Sequence, residues 1–416
     1  MDRGARVQIR PGFTTLSAAM QITTALSTKI DLEDACHDAA TQALEALGGA
    51  EVDVCLVFAS GTYGSKVATV PSLLTEIVNP DRLVGCAAGG IIGGGIEIEG
   101  TPAISVSLLA LDQANLEAIH LSEQDLPNDD LGQDEWIRML ASPPQDTTGI
   151  ILLPDPFSFP TDRLLRGLDF AYPNVTKIGG LISGASHPGG NSLFLDQTVY
   201  NEGALAIILS GHVILEPVVA QGCKPFGKVG RLTKIRDNHI ISIDDTPAMQ
   251  FLQEQIHALA GADLELAQST PLFLGIAMDP FSETEPEPGD FLIRNMIGFD
   301  PQTGTLTIGA DLGVGRRMQF HLRDGACSSR DLETVLQQTL RHSKLADTGV
   351  RGALLFSCLG RGEHLYGHPN HDSDMFRRIV GPMPMSGFFC NGEIGPVHGS
   401  TYLHGYTSVF GVLRET

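Results

Sequence analysis

The chain is short of positive charge. Its 27 Lys and Arg stand against 49 Asp and Glu, a formal net charge of −22 over 416 residues. A surface this acidic repels a phosphate backbone and an anionic lipid face, so no nucleic acid and no membrane is expected among its partners. Cysteine is sparse and scattered. The seven thiols, at 36, 55, 86, 223, 327, 358 and 390, form no CxxC pair. That argues against a disulfide framework or a zinc site and for a reducing, cytoplasmic setting. Long apolar runs are missing as well. The longest uncharged apolar stretch, LVGCAAGGIIGGGI (83–96), is too short and too glycine-rich for a membrane span, which needs roughly 20 residues. The opening MDRGARVQIRPGF has no apolar core of a signal peptide. There is no GxSxG elbow, no phosphate loop ending in Gly-Lys-Ser/Thr, and no GxGxxG at the glycine-rich corner near residue 90.

What is present is a globular composition, 42% apolar with 47 glycines clustered at strand-like runs. The length suits two or three domains of roughly 100–200 residues each. The first clear element is DLEDACHDAATQALEALGG, a helix by the spacing of Leu32, Cys36, Ala39, Ala43 and Leu47, with Asp31 as N-cap and Gly48 as its stop. A pattern then recurs three times. An apolar strand ends in a small polar residue: VCLVFAS at Ser60, GIILLPD at Asp155, ALLFSC at Cys358. A loop and a helical stretch follow, around 65–79, 161–173 and 373–380. A second strand runs into glycines (LVGCAAGGIIG, IGGLISGAS, SGFFCNGEIG), and a third apolar strand closes the unit (AISVSLLAL, ALAIILSG, TSVFGVL). Alternating short strands and helices in a repeated unit predict an α/β architecture of strand–helix–strand repeats with glycine-rich corners. The stretch 122–136 reads as an acidic connector. A domain boundary is expected near LEPVVAQGCKPFG (215–227), giving one domain over 1–220 and another over 221–416. Past it, DDTPAMQFLQEQIHALAG predicts a helix with Thr246 as N-cap and Pro247 at its first position. FLIRNMIGFDPQTGTLTIG predicts strands about a turn, and SSRDLETVLQQTLRHS predicts a further helix.

Two loops of the last unit draw attention. FSCLGRGEH ends a strand at Cys358 and turns through Gly360, Arg361 and Gly362. FFCNGEIG ends another at Cys390, Asn391, Gly392 and Glu393. Ligands of open α/β sheets favour the crevice beyond the carboxyl ends of strands. There Arg361 suits a carboxylate, while Glu393 and Asn391 suit an amine or hydroxyl, with Asn391-Gly392 making the turn. Arg294, on FLIRNM, is a weaker second cation. The competing reading is an ion pair between Arg361 and Glu393. Cys358 or Cys390 could serve as a nucleophile only with a depressed pKa. The histidines of EHLYGHPNHD, at 364, 368 and 371, read as a solvated loop, because Pro369 breaks the helix that would align them.

Taken together, VGCAAGGIIGGG, PLFLGIAM, FLIRNMIGFDPQTGTLTIGADLGVG, FSCLGRG and FFCNGEIGPV…LHGYTSVFGVL resemble the FIST family over nearly the whole chain. The C-terminal half also resembles the FIST region of a eukaryotic F-box protein, without a segment that would hold the F-box. The resemblance implies a FIST N-terminal and a FIST C-terminal domain and a sensory protein that binds a small ligand, an amino acid or other small zwitterion or acid. The chain carries no kinase, cyclase or receiver segment, so signalling through a separate protein is expected, with no catalytic residue, metal or cofactor. Cys358, Arg361, Asn391, Gly392 and Glu393 are the positions the resemblance carries over. Where the family commonly has Gly-Glu, this chain has Gly90-Ile91. The alternatives are an interaction scaffold, a haem-based sensor and a cysteine-dependent enzyme.

Overall fold

Three copies of one strand–helix pattern close on one another in the computed structural model, which describes residues 19–128, 130–279, 282, 284–310, 312–342 and 349–416. The opening segment expected to lack a leader lies outside the described residues. Each copy begins with a strand and a helix, continues with two parallel strands joined through a second helix, and ends with an antiparallel strand. In the first copy these are Gln21–Ser27, Leu32–Leu47, Val54–Ser60, Val70–Val78, Arg82–Ala88 and Ile104–Ala110. In the second they are Ala114–Leu121, Gln133–Leu140, Thr147–Pro154, Thr161–Ala171, Lys177–Gly180 and Ala204–Gly211. In the third they are Val213–Ala220, Gly325–His342, Val350–Cys358, His371–Ile379, Met385–Cys390 and Ser408–Glu415.

The parallel pairs share one close contact. Gly85, Gly179 and Gly387 lie opposite Val57, Leu152 and Leu355. A Cβ at these glycines would sit 1.7, 1.9 and 1.8 Å from the facing carbonyl oxygen. Only glycine admits that approach, and the match at one register position in all three copies confirms the repeat.

Each copy lends a hairpin to another copy's sheet. Gly90–Gly93 and Ile96–Glu99, of the first copy, extend the sheet of the third along Met385–Cys390. Leu193–Leu195 and Thr198–Tyr200, of the second, extend the first along Arg82–Ala88. Glu393–Val397 and Ser400–His404, of the third, extend the second along Lys177–Gly180. The result is three six-stranded sheets, each with one edge covered by a neighbour, which is one way a protein blunts an exposed edge. Their inner faces meet in one core that includes Val84, Ile151, Ile178, Phe356 and Phe388. The helices cover the outer faces: Ala35, Ala39 and Ala43 on the first, Leu164 and Leu168 on the second, Leu332, Leu336 and Phe376 on the third.

Between the first strand of the third copy and its helix, residues 224–322 form a separate seven-stranded sheet. Lys224–Arg236 pairs with both Arg317–Leu322 and His239–Ile243, so the sheet curls back on itself around Phe226, Leu274, Leu306, Met318 and Phe320.

Local readings hold with two differences. Asp31 caps the first helix, accepting from the Glu33 and Asp34 amides at 3.0 and 3.3 Å, and Gly48 ends it in the left-handed conformation. Thr246 does not cap a helix. Thr246–Pro247 pairs as a short strand with Ser242 and Ile243, and the helix is Ala248–His257. The acidic stretch 122–136 is not all connector, since it opens the helix Gln133–Leu140, whose buried Trp136 lies where a Cβ on Gly167 would come within 2.2 Å.

Candidate functional site

The curled sheet stands over the carboxyl ends of the parallel strands Val350–Cys358 and Met385–Cys390, and a cleft of about 1040 Å³ lies between them. Ile276, Leu292 to Asn295, Gly309, Ala310 and Arg316 form the wall on the curled-sheet side. Cys358 to Gly360, Cys390 to Gly392 and Leu403 to Tyr406 form the opposite wall, and Asp162 reaches in from the second copy. In the second copy the matching strand end is committed to protein. Asp155, which matches Cys358, accepts from the Ser158 amide at 2.9 Å, the Ser158 hydroxyl at 2.6 Å and the Asn191 side-chain amide at 2.7 Å.

Four of the six residues singled out from the sequence line this cleft: Arg294, Cys358, Asn391 and Gly392. Arg361 and Glu393 lie behind its floor, both fully buried. Arg361 is committed to the protein. Its Nε and Nη2 donate to Asp372 at 2.8 and 3.1 Å, Nη2 donates also to the Tyr366 hydroxyl at 2.5 Å, and Nη1 donates to the Tyr406 carbonyl at 3.4 Å. Asp372 in turn accepts from Ser357 and Ser408 hydroxyls at 3.1 and 2.8 Å. Burial would raise its pKa, but the Arg361 charge and these donors hold it well below the usual carboxylate range.

The same cluster revises the histidine loop. His364 and His368 are exposed as expected, but His371 is buried, stacked on Tyr366 at 3.5 Å between ring centres and hydrogen-bonded to Ser329. His371 and Asp372 open the helix His371–Ile379. Among the described residues no group of three His, Cys, Asp or Glu is placed to hold a metal ion.

Glu393 does not pair with Arg361. One carboxyl oxygen accepts from the Thr407 amide at 3.0 Å; the other has no well-formed hydrogen bond, with the Cys358 thiol beside it. Burial pushes the carboxyl up to about 8. Burial and then the Glu393 charge push the Cys358 thiol up to about 12. Asn391 is not a turn residue of the expected kind, because it is not among the residues with positive φ. The chain crosses here from one sheet to another, with the Asn391 amide donating to Leu181 at 3.1 Å and the Leu181 amide donating to Gly392 at 2.8 Å. Neither residue is free to form a tight hairpin, because both are bonded to Leu181 of the second copy, next after the strand Lys177–Gly180.

Arg294 is the cation that faces the cleft. Its Nη1 donates to the Ile293 carbonyl at 2.9 Å and its Nη2 to the Leu403 carbonyl at 3.2 Å. It forms no ion pair with any described carboxylate; Asp162 is the acid whose charge it feels. Arg316 is similar, donating to the Ala277 carbonyl at 2.6 Å while its buried Nε has no acceptor. Sequence reading missed Arg316, Asp162, His404 and Tyr406. His404 is buried and neutral, its pKa pushed down to about 4 by burial, with Nε2 donating to the Gly395 carbonyl at 3.0 Å. Tyr406 holds φ at 66°, which is rare for a bulky residue. Its hydroxyl donates to Asn295 across the cleft, and the Arg323 guanidinium lies 5.0 Å over its ring. A signal for Tyr406 was available in LHGYTS, where a glycine and an aromatic interrupt two strands.

The three-copy α/β scaffold thus places a polar cleft at one set of strand ends, where ligands of open α/β sheets are commonly held. The FIST N domain matches residues 53–246 and the FIST C domain residues 248–396, and the chain belongs to the FIST family. FIST domains are in general small-ligand sensory domains of signalling systems. An uncharacterized protein of Mycobacterium tuberculosis is 34% identical over 393 residues, 94% of this chain and 98% of its own. One of Mycobacterium bovis is 33% identical over 392 residues, 94% of this chain and 97% of its own. F-box only protein 22 of Pongo abelii is 29% identical over 112 residues, 25% of this chain and 27% of its own. Among solved structures, a cyanuric acid hydrolase aligns over 96% of this chain and 100% of its own with 8% identity and a TM-score of 0.39. No helix among the described residues is long and apolar enough to cross a membrane.

Proposed function

We propose that the cleft binds a small carboxylate-bearing ligand, an amino acid being the first class to test, and that the protein reports occupancy to a separate signalling protein in the cytoplasm without catalysis. One observation carries this reading: Arg294 lines the cleft with both its bonded nitrogens on neutral carbonyls and no ion pair to any described carboxylate. A partly buried guanidinium bonded only to neutral carbonyls gains most from a charged acceptor, which hydrogen-bonds about twice as strongly as a neutral one. Asp162 and the Asn391 amide group supply acceptors for an ammonium on the same ligand. Arg361 serves as support in this reading, holding the loop 358–362 through Asp372. The cysteine-dependent alternative is disfavoured by the Cys358 pKa, because the thiolate is the nucleophile.

The test is calorimetric titration of the twenty amino acids and of short-chain acids into the wild-type protein and Arg294→Ala. Removing a charged hydrogen bond should weaken binding by about 1.5–3 kcal/mol, roughly 10- to 150-fold. Binding that survives the substitution unchanged would refute the role of Arg294, and no binding by any of these acids would refute the ligand class.

A further inference from the structure

Beside the charged cleft lies a second crevice of about 570 Å³, lined by Pro156, Phe157, the run Ser183 to Ser186, and two residues it shares with the cleft, Leu359 and Asn391. It is the gap between the strand ends of the second and third copies. On the side of the first copy it is shut, because Gly61 packs against Gly184 so tightly that a Cβ there would lie 2.1 Å from the Gly184 carbonyl. Its floor is fixed by hydrogen bonds from the Gly89 amide to the Ser183 hydroxyl at 2.9 Å and from that hydroxyl to the Phe389 carbonyl at 2.5 Å. Ser183 is thus satisfied and offers little to a polar ligand. Phe157 is 42% exposed and Leu359 40% exposed, two of the few large apolar side chains left in water among the described residues, and both line this crevice. Both stand at the rim of a polar cleft, where exposed apolar side chains can serve a ligand groove.

From this we infer that the crevice is the side-chain pocket of the ligand site: the ligand carries an apolar substituent that passes over Leu359 and Asn391 and packs on Phe157. The inference rests on the Arg294 reading and narrows it to acids with an apolar side chain. Continuity points to the occupant, since Leu359 and Asn391 line both the cleft of Arg294 and this crevice. Added methylenes would pack on Pro156, Phe157 and Leu359, and an apolar pocket discriminates between ligands by such methylenes.

The test compares glycine, alanine, norvaline and norleucine by calorimetric titration. Each buried methylene contributes about 0.8 kcal/mol, about fourfold in affinity, so norleucine should bind at least tenfold more tightly than glycine. The variant Phe157→Ser, made at an exposed position that lines the crevice and not the cleft, should cut the norleucine preference to about threefold or less and leave glycine binding as in the wild type. Equal affinities along the series, abolished together by Arg294→Ala, would overturn the pocket while keeping the Arg294 site. A preference for norleucine that persists undiminished in Phe157→Ser would also overturn it. If no member of the series binds, the pocket falls with the Arg294 reading.

Discussion

The pair Arg361–Asp372 sets the sharpest test, because the sequence invites a ligand role for Arg361 and the structure gives it a mechanical one. In Arg361→Met, Asp372 loses the donors at 2.8 and 3.1 Å and keeps the neutral neighbours Ser357, Ser408 and Tyr366 with His371, in a site where it is 1% exposed. Stripping the partner from a buried ion pair costs about 3–5 kcal/mol. With about 2.1 cal/mol/K of unfolding entropy per residue, 4 kcal/mol corresponds to a fall of roughly 4–5 °C in Tm for a chain this long unfolding as one unit. Urea denaturation followed by circular dichroism, with calorimetric scans, measures both quantities. The double variant Arg361→Met, Asp372→Asn removes both charges yet keeps an acceptor for the two serines, and should regain most of the loss. The pH dependence has a definite sign. A carboxylate held below its ordinary value of 3.8 contributes stability that is present above that value and lost as pH falls, so wild type and Arg361→Met should converge in acid. A single variant within about 1 kcal/mol of wild type, or a double variant no better than the single, would refute the assignment.

Three further outcomes are expected. Gly387→Ala should cost about 3 kcal/mol or more by driving a Cβ onto the Leu355 carbonyl, whereas Gly298→Ala, with open space at its Cβ, should stay within about 0.5 kcal/mol by urea titration. Glu97, whose carboxyl accepts from the Ser373 amide at 2.7 Å, is pushed from 4.5 up to about 8 by burial and then by Asp372, with Glu99 adding to it. The folded state therefore holds a proton that the unfolded chain has released, stability is lost as pH rises between those values, and Glu97→Gln should show a shallower loss in urea midpoints between pH 6 and 8. Iodoacetamide should label Cys358 slowly at pH 7 and increasingly above pH 9, read by peptide mass spectrometry; fast labelling at neutral pH would contradict a thiol raised to about 12.

The repeat was legible because its signals are local: a short apolar strand, a helix, and a strand carrying Gly85, Gly179 or Gly387. The helix Leu32–Leu47 was legible from its cap to its stop for the same reason. What stayed hidden depends on partners far along the chain. Nothing in GGIIGGGIEIE says that its hairpin will pair with residues near 387. Asp372 sits only eleven residues from Arg361, but in a stretch whose histidines and proline read as loop, so Glu393 was the more visible acid. Arg294 reads as an ordinary strand cation until the structure shows which charge has no described counterpart.

The exchange of hairpins also sets an order of events on the ribosome. The strands Gly90–Gly93 and Ile96–Glu99 emerge early, but their pairing strand, Met385–Cys390, is made last of all the parallel strands. At 5–20 residues per second, some 290 residues of synthesis impose a wait of about 15–60 s. Throughout that interval the isoleucine-rich hairpin has no sheet to join, and a chaperone or a second nascent chain is the only other cover for its open edge. Closure of the three copies on one another therefore waits for that late strand, and a truncated chain, however well its first copy folds, would carry an unpaired strand fit for exchange with another molecule.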